Sequence, residues 1–126
     1  PKRVIAFNAS ESTSAKDSSH EISFFNCRSA VWWHMREVLD PENGRDAMLP
    51  PDDELTGELT APRWWIDSSG RIRVESKDEI RKRIGRSTNK ADACIQAFWT
   101  DLLVRKLVIA APVSGLTQIN HWRAAG

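Results

Sequence analysis

The chain has 126 residues, of which 40% are apolar and 28% are charged, and its formal net charge is +1. That length suits one domain or a piece of one, and the composition argues against global disorder. Because the net charge is so small, any affinity for nucleic acid has to come from local clusters of cations.

The cysteines argue against a protein stabilised by zinc or disulfides, and the hydropathy argues against a secreted or membrane protein. The two cysteines, Cys27 and Cys94, are far apart and outside any CxxC motif. Neither a zinc site nor a disulfide framework is therefore predicted, which fits a reducing cytosol. The sequence shows no secretory signal, and the apolar stretch at 102–113 is interrupted by Arg105 and Lys106. No membrane partner is expected.

The first predicted elements are a strand, a polar connector and a helix. Residues 2–7 are apolar and partly β-branched, which is typical of a buried strand. Residues 8–19 show no apolar period and are expected to form a mobile surface loop. Asn26 is expected to cap a helix that ends near Leu39, where turn-forming residues follow.

A short helix and a hairpin are predicted next. The prolines and acids of residues 50–54 are typical of a first helical turn, because proline suits that position and acids favour the positive end of the helix dipole. Residues 63–66 and 71–75 are predicted strands, joined by a turn that contains Asp, Ser and Gly. Ile72 and Val74 are expected to share one face of the second strand.

Two helices separated by a tight turn follow the hairpin. Ser76 and Glu79 have the spacing of a capping box, in which each side chain satisfies a free backbone amide at the helix start. Gly85 lies where a helix end favours a residue that tolerates positive φ. The second helix is expected to be capped by Ser87 or Asn89.

Basic charge beside one acid is the local chemistry of this stretch. Asp92 lies in the first turn of the second helix. Four cations lie close together at the end of the first helix, around Gly85: Arg81, Lys82, Arg83 and Arg86. Clustered cations bind DNA phosphate by releasing counterions, but a solvated helix face explains them equally well. Taken alone, an acid at this position more often favours the helix dipole than binds a metal. Lys77 is either a phosphate-positioning group or an ordinary surface lysine.

Five ungapped segments show a family likeness in a fixed order. They are 25–33 (FNCRSAVWW), 49–55 (LPPDDEL), 59–64 (LTAPRW), 70–87 (GRIRVESKDEIRKRIGRS) and 91–93 (ADA). Together they resemble the C-terminal nuclease domain of the large terminase subunit of tailed phages and prophages. On this resemblance residues 1–99 belong to one domain, whereas residues 100–126 match nothing and form a divergent C-terminal tail.

The resemblance implies a partial ribonuclease H-like α/β domain, with central strands flanked by helices and a β-hairpin. The family's complete domain is a metal-dependent endonuclease that cuts concatemeric double-stranded viral DNA during packaging, with Mg²⁺ or Mn²⁺ as cofactor. ATP belongs to a separate motor domain that precedes the nuclease. The implied partners are the portal protein and the small terminase subunit, and the implied location is the cytoplasm of the host bacterial cell.

In that family three acidic groups surround the metal. The resemblance places two of them before residues 2–7, so the chain is expected to be N-terminally truncated. Only the third maps onto it, at Asp92, which is the expected catalytic and metal-binding residue. Because one carboxylate cannot hold two hydrated ions, the isolated chain is expected to bind metal weakly and to cut poorly or not at all. The expected DNA contacts are Lys77, Arg81, Lys82, Arg83 and Arg86.

Two other interpretations stay open. In the first, the basic helix, the turn at Gly85 and the following helix act as a helix-turn-helix in a non-catalytic DNA-binding module. Against it, Asp92 and Gln96 leave the second helix short of cations for reading a groove. In the second, the chain is an inert prophage remnant without activity of its own.

Aromatic and histidine residues give weaker signals. Trp32–Trp33 and Trp64–Trp65 suggest platforms for stacking bases. Neighbours in sequence point in different directions, however, so at least one ring of each pair is expected to pack in the core, and core or partial burial is favoured over base stacking. The three histidines lack the spacing of metal ligands and are expected at the surface: His20, His34 and His121.

Overall fold

The computed structural model describes residues 6–42 and 47–98. These residues form a small mixed α/β structure with four helices and one two-stranded antiparallel sheet. The elements are, in chain order, α1 (Cys27–Val38), α2 (Asp53–Thr60), β1 (Trp64–Ile66), β2 (Ile72–Val74), α3 (Lys77–Ile84) and α4 (Asn89–Ala97). The mixed α/β class expected from the sequence is confirmed.

Part of the expected organisation lies outside the described residues. Of the strand expected at 2–7, only Ala6 and Phe7 are described, and neither belongs to a strand. The expected tail at 100–126 and the domain end at residue 99 also fall outside the described ranges. Within those ranges, no helix has the length and apolar character needed to cross a membrane.

α1 is held at its start by a side-chain cap and by the polar connector. Oδ1 of Asn26 accepts a hydrogen bond from the backbone amide of Ser29 at 2.9 Å, which confirms the expected cap. The backbone amide of Arg28 donates to the carbonyl of Ala9 at 3.0 Å. The connector therefore supplies an acceptor that the first turn of the helix cannot provide for itself.

The hairpin has the strands and the turn that the sequence predicts. β1 and β2 pair with Trp64 opposite Val74 and Ile66 opposite Ile72. Gly70 in the turn has φ 76°, a value that glycine adopts without steric cost. Ile72 and Val74 are both buried, so they share one face as predicted.

β2 is also bonded on its other side, by the segment that precedes α1. The backbone amide of Phe25 donates to the carbonyl of Ile72 at 2.9 Å, and the amide of Ile72 donates to the carbonyl of Ser23 at 2.9 Å. β2 therefore lies between two hydrogen-bonded neighbours. By contrast, no described strand pairs with the outer edge of β1.

Both ends of α3 show the predicted signals. The Ser76 hydroxyl accepts a hydrogen bond from the backbone amide of Glu79 at 3.2 Å, and the Glu79 carboxylate accepts one from the amide of Ser76 at 2.9 Å. Gly85, with φ 75°, ends the helix in the left-handed conformation. The capping box and the glycine stop are confirmed.

The predicted cap of α4 is wrong. Thr88 is the N-cap residue, and neither Ser87 nor Asn89 takes this place. The Ser87 hydroxyl donates to Oδ1 of Asn89 at 3.0 Å, so these two polar side chains bond each other instead. The free amide of Ala91 is satisfied from another helix, because Oε2 of the buried Glu58 accepts its hydrogen bond at 2.8 Å.

The core lies where α1 meets α4 and β2. α4 packs against α1 and against α2, and α1 packs against β2. The larger buried cluster contains Val31, Trp32, Met35, Leu55, Val74, Ala91 and Ile95. Burying one large apolar side chain stabilises a fold by about 1.5–3 kcal/mol. This cluster therefore holds the start of α4, and with it Asp92, against α1.

Candidate functional site

A pocket of about 330 Å³ opens beside Asp92, at the first turns of α1, α3 and α4. Its lining includes Arg28 and Trp32 from α1, and Lys77 and Asp78 from α3. α3 and α4 are neighbours in the chain, whereas α1 lies about 40 residues before α3. The fold therefore brings Arg28 to the polar side chains of α3 and α4, to which no local pattern connects it.

Asp92 is held by three donors. Its Oδ1 accepts a hydrogen bond from Nη1 of Arg28 at 3.2 Å. Its Oδ2 forms an ion pair with Nζ of Lys77 at 3.0 Å and accepts a hydrogen bond from the Thr88 hydroxyl at 3.3 Å. The Asp92 side chain is only 14% exposed, and an unpaired charge at that depth is costly. The two cations compensate for its burial.

Arg28 connects this group to the sheet. Its Nε donates to the backbone carbonyl of Glu75 at 3.1 Å, and its guanidinium carbon lies 5.3 Å from the centroid of the Trp32 ring. Arg28 is 9% exposed, and its Nη2 is buried without a hydrogen-bond partner among the described residues. A buried donor left unsatisfied costs about 1–3 kcal/mol. An acceptor that enters the pocket and reaches Nη2 would remove that cost.

Arg28 is a site residue that sequence reasoning missed, although it belongs to the matched segment 25–33. One signal points to it: an arginine in the first turn of a helix opposes the helix dipole, so it needs an acceptor or an acid nearby. Its two hydrogen-bond partners are 47 and 64 residues further along the chain. No local pattern identifies partners at such a distance.

The four cations at the end of α3 and in the following turn fall into two groups. Arg83 and Arg86 form ion pairs with buried glutamates, at 2.7 and 3.3 Å. Arg81 and Lys82 are exposed and form no ion pair with a described residue. Arg81 and Lys82 are therefore free to contact phosphate, whereas Arg83 and Arg86 already have partners within the fold.

Glu75 is the buried partner of Arg83. Nε and Nη2 of Arg83 donate to its two carboxylate oxygens at 3.0 and 2.7 Å. These hydrogen bonds hold the pKa of Glu75 below its ordinary value of 4.5. The backbone amide of Arg63 donates to the same carboxylate at 3.1 Å. The pair joins the end of β2 to α3, next to the carbonyl that Arg28 contacts.

The described residues do not build a metal site by themselves. Magnesium takes about six oxygen ligands, usually with several waters and one or two carboxylates. Residues 6–42 and 47–98 contain no group of three or more His, Cys, Asp and Glu side chains that could hold an ion. Asp92 provides one carboxylate, whose oxygens already accept from three donors. A pair of hydrated ions would need further carboxylates.

The histidines do not all lie where the sequence suggests. His20 is exposed, as expected. His34 is 2% exposed, so the expectation of a surface position is wrong, because nearly the whole circumference of α1 is buried. His121 lies outside the described residues.

The two tryptophan pairs behave differently from each other. Trp32 is 8% exposed, which confirms the expectation that one ring of its pair lies in the core. Trp64 and Trp65 are 50% and 39% exposed, so the same expectation is wrong for the second pair. Trp64 does contact Trp33, with ring centroids 4.7 Å apart. All three residues of β1 are exposed, so the described core covers neither face of this strand.

Helix packing argues against the helix-turn-helix interpretation. That motif consists of two consecutive helices that pack together across a short turn. Here α4 packs against α1 and α2, and α3 and α4 do not pack against each other in the described structure. α3 and α4 therefore do not form a compact reading unit.

Comparisons of the chain with protein-family models, with curated proteins and with solved structures give no match. No family is shown for it by these comparisons. A functional proposal therefore rests on the resemblance of five short sequence segments to the terminase nuclease family and on the geometry of the Asp92 pocket.

Proposed function

We propose that this chain is part of the metal-dependent DNA endonuclease domain of a phage terminase large subunit, with a ribonuclease H-like fold. One observation supports the proposal most. Arg28, Lys77 and Asp92 each come from a different matched segment, and both cations pair with the same carboxylate. Chance similarity in unrelated segments gives no reason for their polar residues to meet in one pocket.

Asp92 is the catalytic and metal-binding residue in this proposal. The first turn of α4 fixes its carboxylate at the wall of the pocket. In the complete domain, Mg²⁺ or Mn²⁺ supplies the activation of water and the stabilisation of the leaving oxygen. The other carboxylates would come from parts of the protein beyond the described residues. The isolated chain is therefore expected to cut poorly or not at all.

Arg28 and Lys77 have two roles in this proposal. They compensate for the charge of Asp92, and they offer donors to a DNA phosphate. Ammonium and guanidinium groups both bind phosphate oxygens, and the side chain of Lys77 is the more accessible of the two, because it is 38% exposed.

The exposed cations of α3 extend the proposed contact with DNA. Arg81 and Lys82 add affinity through counterion release. Arg83 and Arg86 pair with buried glutamates, so their main role is to stabilise the fold rather than to contact DNA. The proposed substrate is concatemeric double-stranded viral DNA in the host bacterial cytoplasm. The portal protein and the small terminase subunit are the proposed partners, and ATP serves only a separate motor domain.

The coding frame upstream of Pro1 provides the first test. The proposal expects an acidic strand and a Gly-rich segment with a second acid, preceded by an ATPase phosphate-binding loop. The extended protein should nick supercoiled plasmid with Mg²⁺ or Mn²⁺, and Asp92→Ala should reduce nicking by on the order of 100-fold or more. Asp53→Ala removes an exposed acid from the equivalent first turn of α2 and should keep the activity.

Three results would contradict the proposal. An upstream frame without further acids would leave the site without its metal ligands. Robust cleavage by the isolated chain of 126 residues, abolished by Asp92→Ala, would show a complete nuclease rather than part of one. A sequence-specific gel shift without metal dependence and without cleavage would instead favour a non-catalytic DNA-binding module.

A further inference from the structure

The outer face of the hairpin presents aromatic rings beside guanidinium groups. We define this outer hairpin face by Phe25, Trp65, Arg71 and Arg73. Trp65 and Arg73 lie opposite each other in the sheet register. The guanidinium carbon of Arg73 is 4.2 Å from the centroid of the Phe25 ring and 5.6 Å from that of the Trp65 ring. That of Arg71 is 5.1 Å from the Phe25 centroid.

This face is open in the described structure. Trp65 is 39% exposed. Trp64 and Ile66 lie opposite Val74 and Ile72, so they point to the other side of the hairpin and do not belong to this face. None of the residues that define the face belongs to the described lining of the Asp92 pocket. The two surfaces are therefore separate.

The charge of the outer hairpin face is positive. Nε of Arg71 pairs with Oδ2 of Asp67 at 3.1 Å, which offsets one cation. The positive charge of Arg73 attracts the carboxylate of Glu79 at a distance, but Arg73 forms no ion pair with a described residue. The guanidinium of Arg73 is held between two rings, so it is oriented before any ligand arrives, and its N–H donors can reach an anion at its edge.

We propose that the outer hairpin face binds single-stranded DNA, with a base stacked on Trp65 and phosphates contacted by Arg73. Aromatic rings among cations hold single strands without reading their sequence, because every base has a π-face. This binding goes beyond the proposed nuclease function. The Asp92 pocket acts on a phosphate of duplex DNA, whereas this face holds a separated strand.

A second copy of the chain fits the face less well. In a two-fold dimer the same patch contacts itself, so Arg73 of one copy would approach Arg73 of the other. Like charges brought together across an interface are unfavourable. A single strand of DNA instead brings phosphates to the same arginine and flat bases to the exposed ring.

The test is the fluorescence anisotropy of a labelled oligothymidylate of about ten nucleotides, a length that one small site covers. EDTA is present, so cleavage and metal binding cannot contribute and a failure of the nuclease proposal does not affect the result. Trp65→Ala is expected to raise Kd by about 5- to 150-fold, the usual range for removing one stacked ring. Arg73→Gln is expected to raise Kd and to reduce the slope of log Kd against log salt by about 1.

Two matched variants serve as controls. Trp64→Ala removes an equally large ring whose side chain points to the opposite side of β1, where it contacts Trp33. Lys90→Gln removes an exposed cation from α4, far from the hairpin in the sequence. Both are expected to leave Kd unchanged. Far-UV circular dichroism checks folding, and Trp65→Leu, which keeps bulk without an aromatic ring, replaces Trp65→Ala if that variant does not fold.

Three outcomes would overturn the proposal. The first is the absence of binding to oligothymidylate. The second is an equal loss in the test variants and the controls, which would indicate unspecific attraction between charges. The third is a dimer in sedimentation that Trp65→Ala dissociates, because the face would then bind a second copy of the chain.

Discussion

The Asp92 pocket and the outer hairpin face distribute charged and aromatic side chains in opposite ways. In the pocket, Arg28 is 9% exposed and the Asp92 side chain is 14% exposed. On the outer hairpin face, Trp65 is 39% exposed. In this chain a charged side chain is buried where it has an oppositely charged partner, and an apolar ring can stay exposed where nothing packs on it. Each buried charge faces an opposite charge, which compensates for the loss of water.

The largest expected effect comes from making the same substitution in both regions. Trp32→Ala removes an 8% exposed ring from the larger buried cluster and should lower the free energy of unfolding by about 4 kcal/mol. Trp65→Ala removes an exposed ring and should lower it by less than about 1 kcal/mol, the value of an exposed cation–π contact. Urea denaturation measures both values. Equal losses of stability would show that β1 is covered in solution and would contradict the difference in burial between Trp32 and Trp65.

A smaller effect is expected from the ion pair beside the pocket. Arg83 lowers the pKa of Glu75 in the folded chain. The resulting stabilisation is fully present above the pKa of Glu75 in the unfolded chain, and it is lost as pH falls through the lower folded pKa. Arg83→Met should therefore reduce the decrease in stability between about pH 5 and pH 3. Urea denaturation across that range measures it.

Lys82→Met is the matched control for this experiment, because it removes an exposed cation from the adjacent position of α3. This variant should keep the pH dependence of the unsubstituted chain. If Lys82→Met and Arg83→Met show the same dependence, the hydrogen bonds between Arg83 and Glu75 are not its cause. The lowered pKa would then come from Arg63, whose backbone amide donates to the same carboxylate.

The ends of α1 and α3 were predictable because their signals are contiguous in sequence. Asn26 accepts a hydrogen bond from an amide three residues away. Ser76 and Glu79 bond each other across the same spacing, and Gly85 adopts a conformation that other residues avoid. Such contacts depend on few dihedral angles, so residue type and spacing nearly determine them.

Contacts between distant segments were not predictable in this way. In the first turn of α4, the free backbone amide of Ala91 donates to the carboxylate of Glu58, which lies 33 residues earlier in the chain. The polar side chains next to this amide in the sequence do not accept its hydrogen bond. The exposure of Trp64 and Trp65 depends on which elements pack on the two faces of β1, and alternation along a strand does not tell what covers each face. Burial of aromatic residues was therefore predicted correctly only for the helix.

The candidate site shows the same division. Asp92 entered the prediction through a family resemblance, and Lys77 through its closeness in sequence to the matched acid. Arg28 was missed because its role depends on two partners that only the folded chain brings near. A buried ion pair between helices is fixed by packing, since the cluster between α1 and α4 sets the distance between the two side chains.

Whether remote segments meet at Asp92 is tested most directly by a double-mutant cycle between Arg28 and Asp92. The free energy of unfolding is measured for the unsubstituted chain, Arg28→Met, Asp92→Asn and the double variant. Arg28→Met alone should cost about 3 kcal/mol, because it leaves a buried carboxylate short of a partner. The predicted coupling energy is about 1–3 kcal/mol, as for side chains in direct contact. A coupling energy of zero within error would contradict the ion pair and the site built on it.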